Sequence, residues 1–435
     1  MSKFKILICL VGLISVSCKP EQTSPISRPI SELYLPKVPE LFKEFETVDS
    51  TQQFQEFASK LFKENRDLNS SELYIYSGMF YARAEMADSV IVALNKAIDY
   101  GMSNPNILSK YSWQELIESS PEFPKVQKRL DSISKALNNV DNFGLEMGSM
   151  SAFWPYMERA HADTANADAI LKEFIFQGPP EVRDFYILRY ESTSFMKHQM
   201  VVKAPRYYQY LQKQFSEDSI MAMKSEIETW MKGLKTIYPM AVFPKVYVVP
   251  GVLNSGGTTS EMGMYIGGDM YGRSDQMPTE GLNDWQKKVI MVTEDISPLI
   301  MHELMHFEQN YGDDRMNQMV KGKVIQEGVC DFLAALLTGK PVSNDNTRFL
   351  EDENNWSMIV EDFKSTRDSK NLDLWMYNGG SVADRPGDMG YTLGYLVSKS
   401  YYDNHSDKKQ AVYNLLNTNN VDEIYLESDY AYLLD

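Results

Sequence analysis

The stretch Met301-His302-Glu303-Leu304-Met305-His306 is an H-E-x-x-H signature set among the aliphatic residues Leu299, Ile300 and Leu304. Helical spacing puts His302 and His306, four residues apart, on one face with both imidazoles pointing outward together. Two neutral imidazoles so placed can bind one tetrahedral Zn²⁺. Glu303, the next residue, can act as general base on water at the metal without ligating the metal itself. A chain with 5 histidines meets this pattern by chance only rarely. Ser297-Pro298 reads as an N-cap followed by proline at the first helical position, and Gly312 as the stop. Such a helix buries its aliphatic residues and turns His302, Glu303 and His306 towards a cleft.

A catalytic zinc needs a third protein ligand and one open position. The helical run Lys323–Leu333 offers Glu327, with Asp331 one turn further on. A helix that turns back across the first presents Glu327 to the metal. Asp331 then accepts the free ring N–H of a ligand histidine, which fixes the tautomer and raises ligand basicity. Gly328 removes a side chain where two helices approach closely. Cys330 is the alternative third ligand, but three positions from Glu327 the two cannot aim at one point equally well; Glu327 is favoured and Cys330 reads as a small buried residue. Glu308, Asp313 and Asp314 read as a solvated acidic helix end. His161, His198 and His405 read as histidines away from any metal.

The rest of the chain bounds the setting. At 435 residues, two or three domains are expected, and 43% apolar with 24% charged residues is the composition of a globular protein with a sizeable core. A net charge of −17 argues against nucleic acid or anionic lipid as a main partner. Residues 1–17 read as a secretory signal: Lys3 and Lys5, the apolar run Ile6–Ile14, then small residues, too short to stay as a membrane span. Cys18 follows Ser15-Val16-Ser17 and resembles the lipidated cysteine of a bacterial lipoprotein, with Ser15 where Leu is usual. Processing there removes Cys9 and leaves Cys330 as the only free thiol, so no disulfide is expected. Lys19-Pro20 lacks the Asp that marks inner-membrane retention, which makes the outer membrane the expected destination. Residues 18–37 are then the lipidated cysteine and a linker.

Residues 38–138 read as a helical domain. Within it, Leu73–Ala82 and Ser89–Tyr100 form two antiparallel helices, with Gly78, Ala82, Ala93 and Ala97 at their crossing. The pair resembles a tetratricopeptide unit, a scaffold suited either to docking a protein partner or to plain packing. A second domain, 141–435, opens with helical segments at 153–176, 180–210 and 218–234. The period then changes to two β-rich runs, Pro244–Pro250 and Gly263–Gly267, joined through a turn-forming loop, Asn254–Ser260. The loop and strand could hold a substrate backbone along a free sheet edge, which makes Gly256, Gly257 and Tyr265 candidate substrate-binding residues. The fold class is α+β, mostly α.

His302-Glu303-x-x-His306 followed by Glu327-x-x-x-Asp331 resembles the gluzincin pattern of thermolysin-like zinc metallopeptidases. Asn254–Gly268, the helix pair and Arg385–Tyr395 resemble more closely the YjaZ-like family of predicted zinc-dependent proteases, and gliding-motility lipoproteins are similar in layout. The resemblance covers most of 141–435. It implies a zincin-like domain holding one zinc ion through His302, His306 and Glu327, with Glu303 polarising water. It also implies Tyr391 as donor to the developing oxyanion, with Tyr395 or Arg385 as substitutes, and Arg385 as a further substrate-binding candidate. The expected function is a lipid-anchored zinc metallopeptidase acting on peptides or proteins and touching the membrane only through its anchor. Two alternatives stand beside it. One is a non-catalytic assembly or motility lipoprotein that keeps the fold as a binding scaffold; the other is a zinc hydrolase of a non-peptide amide.

Overall fold

The shift to β-branched and aromatic residues after residue 244 marks a small sheet in an otherwise helical chain. The computed structural model describes residues 28–214, 217–312, 318–340, 344–378 and 382–435. The expected signal segment, Cys9, Cys18, most of the expected linker, Asp313 and Asp314 lie outside the described residues. Among the described residues, no helix is long and apolar enough to cross a membrane.

The N-terminal helices α1 (Val38–Thr51), α2 (Phe54–Leu68), α3 (Ser71–Arg83) and α4 (Ala87–Asp99) pack in succession, and α5 (Phe123–Leu137) closes the group. Gly78 on α3 faces the Trp113 indole, which a β-carbon there would meet at 2.9 Å. The start of α3 is tied down by a buried carboxylate. Asp184 accepts from the Ser70 and Ser71 hydroxyls at 2.6 and 2.8 Å, and Ser70 also caps the helix by accepting the Leu73 N–H.

After β1 (Leu145–Glu146) come α6 (Gly148–Ala162) and α7 (Ala167–Gln177). A short helix, Glu181–Phe185, then runs into a π-helical turn, Tyr186–Tyr190, which ends at Glu191 with φ 61°. Helices α8 (Pro205–Gln214) and α9 (Lys224–Ile237) follow, then β2 (Val246–Val249), β3 (Gly257–Ser260) and β4 (Gly263–Gly267). The strand order is β1-β2-β4-β3, parallel except for the antiparallel β3–β4 pair, in which Thr258 faces Tyr265. The polar run Gly-Thr-Thr-Ser is therefore an edge strand and not wholly a loop. Its threonines suit the extended backbone, while the two glycines before them imitate a turn.

Helix α10 (Ile296–Glu308) carries the H-E-x-x-H residues and packs against β3 and β4. It starts before Ser297, which is buried inside the first turn and is not the cap, because a 3₁₀ turn at Thr293–Asp295 leads straight into it. It ends at Glu308, ahead of Gly312, which adopts φ 66° in the following connection. Glu308 is no solvated end. It is buried, accepts the Val242 N–H, and desolvation pushes its carboxyl up to about 8.

Helices α11 (Val320–Thr338), α12 (Glu353–Thr366) and α13 (Met389–Asn404) complete the scaffold, with shorter helices at Lys408–Leu416 and Val421–Leu426. Helix α11 lies between α10 and α13. At its crossing with α13, two glycines meet: a β-carbon on Gly328 would lie 2.0 Å from the Gly394 carbonyl carbon, and one on Gly394 would lie 1.9 Å from the Val324 oxygen. Only backbone fits there. The Gly328→Ala substitution is expected to force α11 and α13 apart and to destabilise the fold by about 2–3 kcal/mol or more. Denaturant unfolding of the variant checks this, and an unchanged midpoint would contradict the packing described.

Candidate active site

On α10, His302 and His306 project from one face, and α11 crosses so that Glu327 reaches both. Glu327 Oε2 lies 3.4 Å from His302 Nε2 and 3.0 Å from His306 Nε2. A tetrahedral ion with bonds of about 2.0–2.1 Å separates its ligand atoms by roughly 3.3 Å, so this spacing fits zinc. The outer ring nitrogens are also anchored. His302 Nδ1 lies 2.8 Å from Asp331 Oδ1, and His306 Nδ1 lies 3.1 Å from Gln309 Oε1. The Gln309 amide donates from Nε2 to the Gln326 carbonyl at 2.7 Å, which turns its oxygen towards the ring. With Nδ1–H donated outward, both Nε2 lone pairs face the same point.

Cys330 belongs to the same cluster, its sulfur within 4.8 Å of histidine ligand atoms. It sits on the other side of His306, 3.3 Å from Nδ1, and donates to the Gln326 carbonyl. Burial, with the Glu327, Asp331 and Glu303 carboxylates, pushes its thiol well up, which favours the neutral form over a thiolate ligand. Of the two candidates for a third ligand, Glu327 alone lies on the inward side of both rings.

Glu303 lies against the edge strand. A β-carbon on Gly257 would come within 2.7 Å of Glu303 Oε1, so glycine is what lets β3 and this carboxylate approach. Desolvation raises the Glu303 pKa, offset in part by the two histidines and Arg189, while Glu327 adds to the rise. A carboxylate of raised basicity suits proton transfer near neutral pH.

Two phenols close the site beside Glu327. Tyr377 donates to Glu327 Oε1 at 3.0 Å, leaving Oε2 for the histidines. Its backbone is left-handed at φ 59°, as is that of Asp388 at φ 56°. Asn378 and Asp388 hold this conformation by exchanging reciprocal N–H bonds of 3.0 Å. The Tyr391 ring stacks 6.4 Å from the His302 ring and meets Tyr377 edge-on. Burial raises both phenols' pKa values, with Glu327 adding to the rise, so both remain hydrogen-bond donors. Nothing in the sequence spacing marks Tyr377, which arrives from the far side of α12.

The cleft in front of these residues has a volume of about 660 Å³, and its walls include Arg189, Thr258, Gln309, Lys323 and Tyr391. A second recess of about 760 Å³, walled by Trp285, Val289, Met291 and Leu299, shares Gly257, Tyr377 and Tyr391 with it. Gly256 lines only this second recess. Two expected substrate residues lie elsewhere. Tyr265 is fully buried, stacked on Phe185, with its hydroxyl on Met262 Sδ, because its strand is central and both its faces are covered. Arg385 pairs with Asp362 of α12 and lines neither recess. His405 is also partnered, 3.0 Å from Glu427.

The two imidazoles share protons with their carboxylates. Burial opposes a charged His302, but the Asp331 and Glu327 hydrogen bonds outweigh it and hold the pKa well above the ordinary value. Burial likewise opposes a charged His306, and Glu327 reverses the balance. Burial raises the Glu327 carboxyl, yet the two rings hold it well below its ordinary range. A metal must displace the ring protons. Zinc affinity, followed by competition with a chromophoric chelator, is therefore expected to rise with pH, by about one to two log units per pH unit, and to go on rising above the usual histidine range. A flat profile through neutrality would contradict this protonation scheme.

No curated protein and no solved structure matches the chain. Residues 286–421, which hold α10, α11 and both phenols, match the model of a family described as "Predicted Zn-dependent protease (DUF2268)". That similarity, over less than a third of the chain, agrees with the resemblance to the YjaZ-like predicted zinc proteases.

Proposed function

We propose that the chain is a zinc metallopeptidase in which His302, His306 and Glu327 hold one ion and Glu303 moves the proton. The observation that carries this reading is the convergence of two Nε2 atoms on Glu327 Oε2 at zinc-like spacing, with Glu303 at the same cleft. Bound zinc supplies Lewis acidity, polarising a peptide carbonyl and acidifying water. Glu303 takes a proton from that water and delivers it to the leaving amine, a task helped by its burial against Gly257. Asp331 and Gln309 fix the tautomers and orientations of the two rings. Tyr391, at the cleft wall beside His302, donates to negative charge developing on the carbonyl oxygen, while Tyr377 holds Glu327.

The free edge of β3 lies where a peptide can add as a further strand, since Gly257, Thr258 and Thr259 line the cleft. The helices at 38–138 are read as a tetratricopeptide-like packing unit, and the Cys18 sequence as a lipid anchor to the outer membrane.

Two experiments test this. The Glu303→Gln variant is expected to retain stoichiometric zinc while losing peptide hydrolysis by about 10²–10⁴-fold. Equal turnover by both proteins would remove Glu303 from the mechanism, and wild type without stoichiometric zinc would remove the metal centre. For the anchor, Cys18→Ser is expected to abolish incorporation of labelled palmitate and to release the protein from membranes. Unchanged fractionation of that variant would refute lipidation at Cys18.

A further inference from the structure

The chain is strongly acidic overall, at −17, yet its cleft presents cations. Lys110, Arg189 and Lys323 all line it. Lys110 is offset by Glu261 at 2.8 Å. The other two are held by neutral oxygen atoms. Arg189 donates from Nη2 to the Thr258 hydroxyl at 2.6 Å, and its buried Nε has no partner. Lys323 donates from Nζ to the Gln326 side-chain oxygen at 2.8 Å. Neither forms an ion pair among the described residues. Thr258 and Gln326 direct these charges without cancelling them.

Two carboxylates of the proposed catalytic set, Glu303 and Glu327, line the same cleft. Glu303 acts on Arg189 and Glu327 acts on Lys323. On the zinc reading, on which this inference rests for its catalytic part, those two negative charges face a dication. The positive charges of Arg189 and Lys323 then remain uncompensated at a partly desolvated wall, an arrangement that costs free energy unless an anion arrives. Arg189 is fixed by the π-helical turn Tyr186–Tyr190 and by its bond to the edge strand, so its guanidinium is held in place before a ligand binds. A planar guanidinium is the side chain best matched to a carboxylate.

We propose that the cleft selects substrates by a carboxylate, with Arg189 as principal anchor beside Glu303 and Lys323 as the second cation beside Glu327. The carboxylate is either an Asp or Glu side chain near the cleaved bond or the free C-terminus of the peptide. Both share one chemistry, and four peptides separate them. They are fluorescent, of one length and otherwise neutral, with a central Glu or Gln and a free or amidated C-terminus.

Binding is measured by fluorescence polarisation with the full, zinc-loaded chain carrying Glu303→Gln, so that recognition is read without turnover. At least one carboxylate is expected to tighten binding tenfold or more. The preference should vanish on adding Arg189→Gln, return in part with Arg189→Lys, and weaken with Lys323→Gln. It should also fade as salt rises. Dependence on Glu identifies a side-chain carboxylate, and dependence on the free terminus identifies an exopeptidase-like mode. Equal binding of all four peptides overturns the proposal, as does a preference that survives both Arg189→Gln and Lys323→Gln. Should Arg189→Gln fail to fold by circular dichroism, the Lys323→Gln and salt responses decide: loss of preference supports the proposal and indifference to both overturns it.

Hydrolysis of the same peptides by the unmutated chain keeps the two readings apart. Binding selectivity without any turnover would refute the peptidase and leave the carboxylate site standing. Turnover without selectivity would do the reverse. If Arg189 served only the oxyanion, Arg189→Gln would lower kcat equally for all four peptides, whereas loss of a carboxylate anchor raises KM for the acidic ones alone.

Discussion

One carboxylate oxygen, Glu327 Oε2, stands within hydrogen-bond reach of two imidazole nitrogens on a different helix. That contact spans α10 and α11, which pack against each other along their length. Glu327 is held on its other oxygen by the Tyr377 hydroxyl. Helix α11 cannot drift away from α13, because Gly328 and Gly394 bring their backbones into direct contact. A long side chain at that crossing would move Glu327 by the thickness of a methyl group or more. Ligand distances around zinc tolerate only about 0.2 Å. A packing requirement at the back of α11 thus becomes a chemical requirement at its front.

The two ring supports are not equivalent. Asp331 is an anion and Gln309 is neutral, so His302 is the more strongly polarised ring. Gln309 is buried and Asp331 only partly so, and each lines one of the two recesses. Glu303 feels opposing influences: burial raises its basicity, while the histidines and Arg189 restrain the rise. The net effect is a carboxylate more basic than an exposed glutamate, as a proton acceptor needs. Its position depends on Gly257, and so on the edge strand.

The sequence makes the proposed metal ligands easier to single out than the walls of the cleft. His302, Glu303 and His306 are legible because their spacing is local to one helix, and Glu327 and Asp331 because they repeat at one helical turn on the next. Arg189 and Tyr377 belong to segments far from that pair, and only tertiary folding brings them to it. Tyr265 and Arg385 lie away from the cleft for the converse reason: a suitable side chain near a motif is buried by a central strand or paired with Asp362. Gly257–Ser260 was hidden by composition, since glycine and threonine serve an edge strand as readily as a turn. Glu308 looked like a surface acid because its partner, the Val242 N–H, lies 66 positions away.

The N-terminal helices bear on the same cleft. The turn between β3 and β4 is gripped by them at Glu261, whose carbonyl accepts from Ser103 and Asn104 and whose carboxylate accepts from Asn104, Tyr111 and Lys110. Its N–H in turn donates to Glu72 of α3, a carboxyl that burial and the neighbouring Asp184 push up to about 8. A polar network this deeply buried is stable only when nearly every member is satisfied, so it resists displacement of the turn. The turn sets where β3 lies, β3 sets where Gly257 admits Glu303, and Thr258 sets where Arg189 points. Residues 70–111 therefore act on the site without entering its chemistry, apart from Lys110 at the wall. The proposed metal ligands alone would need only α10 and α11. A cleft that also orients a base and a guanidinium needs the sheet edge, and the sheet edge needs the helices that hold its turn.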